Sequence, residues 1–323
     1  MVFCMKRKMI TIALSLTLLT GCSNSGQVLL PYTASENIAG FNKDIGTEVS
    51  DFFANDLSII SDELNHMSDP DMTALSSLIV NATTKDVIYA DNVYERIYPA
   101  SLTKLITALV VLDNADLSDT VTVSYNASHI TESGAKLCGF KEGDKINLED
   151  LLNSFLIYSG NDAGIAIAEH IAGTEEEFSK LMNEAAKKVG AVHSNFVNSH
   201  GLHNDNHYTT AYDLYLIFNE LIKYEKFVSI INTKDYTVKY MDINNNEKTK
   251  EFTTTNRYLK ETEPTPEGLT VIGGKTGTTN KAGNCLILYS KDGKGENYIS
   301  LILKASGGDS LFSQMTHLLK MIN

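Results

Sequence analysis

The chain has 323 residues, which at roughly 150 residues per domain makes room for one large domain or two. Hydrophobic residues make up 43% and charged residues 21%, excluding a wholly disordered or collagen-like chain. With 27 Lys+Arg against 40 Asp+Glu the formal net charge is −13. That balance speaks against a non-specific nucleic-acid binder, because phosphate neutralisation needs clustered cations.

The N-terminus reads as an export signal. Lys6-Arg7-Lys8 is a cationic patch, and Met9 to Leu19 is an apolar run relieved only by Thr and Ser. The run is far shorter than the roughly 20 residues that span a bilayer core. Leu19-Thr20-Gly21-Cys22 follows and resembles the bacterial lipoprotein box. That resemblance implies a signal peptide over 1–21, lipid attachment at Cys22 and a mature protein tethered to the extracytoplasmic face of the membrane. An ordinary cleaved signal with a coincidental Cys is the alternative, and Met5 is an alternative start. Beyond Cys22 only Cys138 and Cys285 remain, too few for a disulfide scaffold. Two buried free thiols are expected, with a single bridge between them as the alternative.

Residues 22–70 read as a tether, polar at first, then carrying Val49, Phe52, Phe53, Leu57, Ile60 and Leu64 at near-helical spacing between Ile45 and Met67. A packed helix or stalk is expected there, broken by Asp69-Pro70-Asp71. Ala74–Val80 and Val87–Ala90 read as strands around a turn. Leu102–Leu112 is apolar on nearly every face, which predicts a helix buried all round. Two more helical patterns cover 148–171 and 174–190. Glu175, Glu176 and Glu177 fall in the first turn of the second, where carboxylates suit the helix dipole, and read as a solvated helix start. Cys285–Ser290 and Tyr298–Lys304 alternate like strands about Asp292-Gly-Lys-Gly295, and Asp309–Met321 is an amphipathic helix.

Three short patterns carry chemistry: Ser101-Leu-Thr-Lys104, Ser159-Gly-Asn161 and Lys275-Thr-Gly277. Each alone is weak, and a second Ser-x-x-Lys occurs at Ser133/Lys136. Context separates the two. Ser101 opens the most apolar helix, whereas Ser133 sits in a polar, Gly-containing stretch. Residues i and i+3 share a helix face, so Lys104 can reach the Ser101 hydroxyl. Serine becomes a competent nucleophile when a neighbouring base takes its proton, and burial lowers a lysine's pKa enough for it to serve. Free N–H groups at a helix start suit a developing oxyanion. An N-capping Ser with a snorkelling Lys is the alternative for this motif taken alone.

Together with their flanks, Tyr98-Pro-Ala-Ser-Leu-Thr-Lys-Leu-Ile-Thr-Ala108, Ser159-Gly-Asn-Asp-Ala163, His200-Gly-Leu202 through Leu214, and Gly274-Lys-Thr-Gly-Thr-Thr279, these patterns resemble the low-molecular-mass D-alanyl-D-alanine carboxypeptidases. The resemblance covers roughly residues 74 to 323. It implies an α+β, β-lactamase/transpeptidase-like fold: a mostly antiparallel sheet flanked by helices, with a mainly helical region inserted at about 113–250 and a catalytic domain over 71–323. No C-terminal β-rich domain is expected, because the chain ends at Asn323 directly after the last helix.

The same resemblance implies roles for residues. Ser101 would be acylated by the penultimate D-alanine of a peptidoglycan stem, with Lys104 as its base. Ser159 would relay a proton to the leaving D-alanine, and Asn161 would hold the substrate backbone. Lys275 and the Thr276 or Thr278 hydroxyl would meet the terminal carboxylate. Gly277 would admit the substrate to an edge strand, and the backbone N–H groups of Ser101 and Thr278 would form the oxyanion hole. Arg257 resembles a family arginine near the carboxylate pocket. No cofactor or metal is implied, and β-lactams would act as acylating inhibitors. His193, His200, His203 and His207 cluster in sequence and invite a zinc reading. Their match to the family's His-Gly-Leu loop favours a structural role beside the cleft.

Two rivals remain open. A β-lactamase would need a water-activating Glu-x-x-Leu-Asn-type loop between the second and third motifs, and none is present; Glu63-Leu64-Asn65 precedes Ser101. A non-catalytic receptor for peptidoglycan or β-lactams would retain binding after loss of Ser101.

Overall fold

The computed structural model describes residues 57–322. The expected signal peptide, Cys22 and most of the tether lie outside the described residues. In chain order the elements begin with β1 (Ser76–Asn81), β2 (Val87–Asp91), a 3₁₀ turn (Ala100–Leu102) and α1 (Thr103–Asn114). There follow β3 (Thr120–Thr122), α2 (Tyr125–Ser128), β4 (Lys145–Asn147), α3 (Leu148–Asn153), α4 (Asn161–Ala172) and α5 (Glu175–Lys188). The chain continues through α6 (Ala211–Leu221), α7 (Glu225–Ile231), β5 (Asp235–Met241) and β6 (Glu247–Thr253). It closes with β7 (Leu269–Thr279), β8 (Gly283–Asp292), β9 (Asn297–Ala305) and α8 (Gly308–Leu319).

The main sheet has the order β2-β1-β9-β8-β7, antiparallel at every pairing. Both of its faces are buried, and the strand alternation divides the core. Leu78 and Val80 of β1, Ile287 of β8 and Leu301 of β9 point towards α1 and the helical region. Ile79, Leu286, Leu288 and Ile302 point the other way, onto Leu311, Phe312, Met315 and Leu318 of α8. The expected antiparallel sheet between helices is therefore present. Its two ends of chain meet at the β1–β9 pairing, with Ser76 opposite Leu303. Helix α1 is buried without interruption from Thr103 to Val111, as its all-round apolar sequence predicts.

Three expectations are revised. The helix proposed over Ile45–Met67 is absent from its described part. Leu57–Met67 is a non-helical strap tied down by backbone bonds to tyrosine: Ser58 N–H donates to Tyr215 Oη, and Tyr94 donates to the Ile60 carbonyl. The apolar spacing there reflects Leu57 and Ile60 inserting into the core, not a helical face. The inserted region is helical for the most part but also carries a four-stranded sheet, β3-β4-β5-β6, whose β5–β6 hairpin lies within the span expected to be helical.

The third revision concerns 148–171. It is not one helix: α3 passes into a π-helical turn at Ser154–Tyr158 and stops at Ser159, which adopts the left-handed conformation (φ 76°, ψ 33°) before α4 begins at Asn161. A non-glycine residue in that region stores strain, and π-turns concentrate at functional sites. The hydrophobic periodicity runs straight through this break, so sequence pattern alone does not show it.

Candidate active site

Lys104 sits in the first turn of α1 with its side chain fully buried. Its Nζ donates to Asn161 Oδ1 at 2.8 Å and to the His200 carbonyl at 2.6 Å, and lies 3.4 Å from Ser101 Oγ. Burial pushes its pKa down to about 7, against the raising influence of the Cys138 thiol, Asp162 and Glu175. In the neutral amine both N–H groups are taken by the two carbonyl oxygens. The lone pair is then left for the Ser101 hydroxyl proton.

Ser159 and Asn161 face this pair from the helix break. Ser159 Oγ accepts from Lys275 Nζ at 2.9 Å, and Lys275 also donates to the Thr276 carbonyl at 3.0 Å. Lys275 lies on β7, an edge strand of the main sheet. Burial, and then the neighbouring Lys104 and Lys136, hold its pKa well below the usual lysine range. Because the Asn161 carbonyl oxygen is committed to Lys104, its amide N–H₂ is the group left for a ligand. Asp162 fixes the start of α4 by accepting from the backbone N–H groups of Cys138, Gly139 and Phe140. Cys138 and Cys285 are both buried free thiols.

A cleft of about 470 Å³ opens here, with Ser101, Ser159, Asn161, Thr276, Gly277 and Thr278 on its walls. A Cβ on Gly277 would stand 3.0 Å from Ser101 N and 3.1 Å from Leu102 N, so the absence of a side chain lets β7 run against the Ser101 turn. Thr276 Oγ1 is 2.5 Å from Thr255 Oγ1. Arg257 reaches the same cleft, but its guanidinium is paired with Asp309 (2.7 Å) and stacked on Phe312. Of the competing Ser133/Lys136 pair, Ser133 is exposed in a turn, whereas Lys136 lines the cleft.

The histidines divide into framework and surface. His207 Nδ1 accepts from Val197 N, leaving Nε2–H for Thr103 Oγ1 at 2.7 Å, and burial drives its pKa down to about 3. Thr103 passes the bond on to the Ala100 carbonyl. His200 Nδ1 accepts from Leu202 N. His203 and His193 lie beside Asp205 and Asp213. The grouping with metal-ligand spacing among the described residues is elsewhere, at Asp69, Asp71 and His317.

Glu175 departs from its reading as a solvated helix start. Glu176 and Glu177 are exposed, but Glu175 turns inward and accepts from Ser199 N (3.0 Å) and Ser199 Oγ (2.6 Å). The Ser199 carbonyl in turn accepts from Thr107, and the next carbonyl, that of His200, receives Lys104. The carboxylate thus holds the segment that holds the lysine. Nothing local to Glu175-Glu-Glu177 distinguishes the first glutamate, since its partner lies 24 residues on.

The fold is that of solved DD-transpeptidases. A solved Streptomyces K15 DD-transpeptidase superposes with a TM-score of 0.71 at 27% identity, covering 79% of this chain and 98% of that one. The profile described as D-alanyl-D-alanine carboxypeptidase matches residues 63–307, and the chain belongs to that family, peptidase family S11. Among curated relatives, it is 34% identical over 252 residues to the D-alanyl-D-alanine carboxypeptidase DacF of Bacillus subtilis and 32% identical over 259 residues to DacC of Escherichia coli. These alignments cover 76% and 77% of this chain, and 61% of the length of each relative.

Two substitutions test the framework. A Cβ on Gly201 (φ +90°) would fall 1.8 Å from the Ala100 carbonyl oxygen. Gly201→Ala is therefore expected to cost about 3 kcal/mol or more in thermal or denaturant unfolding, and an unchanged midpoint would contradict the close approach. Glu175→Ala strips Ser199 of both bonds and is expected to destabilise by about 1–3 kcal/mol and to slow acylation of Ser101 about tenfold. Glu175→Gln, which keeps an acceptor, should recover most of the rate; a Gln variant as slow as Ala would deny the positioning role.

Proposed function

We propose that the protein is a serine D-alanyl-D-alanine carboxypeptidase acting on peptidoglycan stem peptides. The observation that carries this reading is the Lys104 amine, its two N–H groups committed to Asn161 and His200 and its remaining valence directed at Ser101. Ser101 Oγ bonds to the carbonyl carbon of the penultimate D-alanine as its proton passes to Lys104 Nζ. The resulting oxyanion meets the backbone N–H groups of Ser101 and Thr278. The C–N bond to the terminal D-alanine then breaks, its nitrogen taking a proton through Ser159, which Lys275 orients. Water hydrolyses the Ser101 ester and returns the enzyme.

The cleft's charge supports the same substrate. Lys136 and Arg257 line it, and none of its described lining residues is a carboxylate. A substrate's terminal carboxylate beside Thr276, Thr278 and Lys275 supplies the missing counter-charge and favours the ammonium form of Lys275. β-Lactams, which present a strained amide and a carboxylate, are read as acylating inhibitors. With Glu175 locked to Ser199, the site offers no spare carboxylate for fast release of such an adduct, which supports the carboxypeptidase reading over a β-lactamase. The cationic patch, short apolar run and Leu19-Thr-Gly-Cys22 support an extracytoplasmic, lipid-anchored protein. No helix among the described residues is long and apolar enough to cross a membrane.

Residues 23–323 are expected to release D-alanine from an N-acylated peptidyl-D-alanyl-D-alanine and to form a long-lived adduct with benzylpenicillin by intact mass. Ser101→Ala should abolish both, and D-alanine release surviving that substitution would refute the mechanism. Because Lys104 must be neutral to accept the proton and its pKa is held at about 7, the acylation rate should be flat above that pH. Below it the rate should fall about tenfold per unit, measured as a pH profile of adduct formation. A profile flat down to pH 5 would exclude Lys104 as the base.

A further inference from the structure

Lys136 has no place in the acylation chemistry, yet it stands on the wall of the cleft beside Asn161. Its backbone is firmly held: the Lys136 carbonyl accepts from Asn161 N at 2.7 Å, and two residues on, Cys138 N donates to Asp162. Its ammonium is half-buried and lies 3.9 Å from the centre of the Tyr158 ring. It makes no ion pair or hydrogen bond with any described residue. Arg257, the other cation on the cleft lining, is paired with Asp309.

The charged and titratable groups that act on Lys136 are Lys260 and the Cys138 thiol, and Lys136 itself acts on Lys104 and Lys275. Its surroundings are thus cationic or neutral. A partly desolvated cation among other amines is unfavourable until an anion joins it. A ring face compensates only in part, by about 0.5–2 kcal/mol.

Lys136 and the β7 cation Lys275 interact across one cleft, but they stand on different elements. Thr276, Thr278 and Arg257 belong to β7 and the segment before it, where the substrate's C-terminal carboxylate is placed by the reading above. Lys136 belongs to the loop clamped to the start of α4, on the side of Asn161, whose amide faces the acyl portion of the substrate. With the C-terminal carboxylate read at Thr276, Thr278 and Lys275, the anion left for Lys136 is one carried upstream of the scissile bond, on the Asn161 side.

We propose that Lys136 is a specificity-determining residue that selects stem peptides bearing a free side-chain carboxylate on the residue preceding D-alanyl-D-alanine, over the corresponding amide or amine. The inference rests on the carboxypeptidase reading.

The test compares D-alanine release from N-acetyl-L-2-aminopimelyl-D-alanyl-D-alanine and from its side-chain carboxamide. The enzyme is expected to favour the carboxylate by about tenfold in kcat/KM, equivalent to about 1.4 kcal/mol, with the preference shrinking as salt is raised. Lys136→Gln should bring the two peptides level, and Lys136→Glu should turn the preference towards a lysyl peptide in the same position. Equal rates for both peptides with the unaltered enzyme, or a preference that survives Lys136→Gln, would overturn the assignment. Equal losses on both peptides in Lys136→Gln would also overturn it, placing Lys136 with the terminal carboxylate instead. Failure to release D-alanine from either peptide would refute the carboxypeptidase reading, and this one with it.

Discussion

Everything in this structure is arranged around one buried amine. A lysine with no exposed surface, at the head of a helix buried without interruption from Thr103 to Val111, is tolerable only if its nitrogen is supplied with hydrogen-bond acceptors and relieved of its charge. The acceptors come from distant parts of the sequence: the side chain of Asn161 at the start of α4 and the backbone of His200 in the loop before α6. Bringing them together demands the break at Ser159, because a continuous helix from 148 would carry Asn161 away from α1. It also demands Gly201, whose backbone passes against the Ala100 carbonyl. The strain at Ser159 and the close approach at Gly201 are consequences of satisfying Lys104.

Much of this was legible in the sequence because it is local. Ser101 and Lys104 share a helix face by spacing alone, the uninterrupted apolar run around them announces burial, and alternation in β8 and β9 shows in Cys285–Ser290 and Tyr298–Lys304. What was not legible depends on pairings across the chain. Glu175 looks like its two neighbours until Ser199 is placed beside it. The strap at Leu57–Met67 imitates helical spacing because its apolar side chains enter the core from irregular backbone. The β5–β6 hairpin is rich in Lys, Glu and Thr, and its strands are largely exposed, so alternation of hydrophobicity is weak there. The π-turn at Ser154–Tyr158 leaves the apolar pattern intact while moving the residue that follows it.

The cleft's electrostatics follow from the same arrangement. Lys104 lies beside Ser101 and Lys275 bonds to Ser159, so the two amines serve the two serines on the walls of one cleft. Burial is the main cause that lowers the basicity of both, and Lys104 and Lys136 add to it at Lys275. Carboxylates are used close by, but as framework: Asp162 is spent on three backbone N–H groups and Glu175 on Ser199. The result is a site whose own negative charge is turned away from the cleft, leaving the cavity for an anionic guest.

The pairing of β1 with β9 has a consequence for how the molecule is made. Strand β9 lies between β1 and β8, and its last residues are joined to the first strand of the domain, Ser76 facing Leu303. Until the final strand leaves the ribosome, β1 and β2 form a lone hairpin, and two-stranded hairpins are marginal in water. Helix α1 meanwhile lacks the sheet it packs on. Such a topology delays closure of the core to the end of synthesis, since its long-range contacts must wait for both termini. The domain's cohesion therefore rests on its last strand, and a chain cut before β9 would leave β1 and β2 without the sheet that buries them.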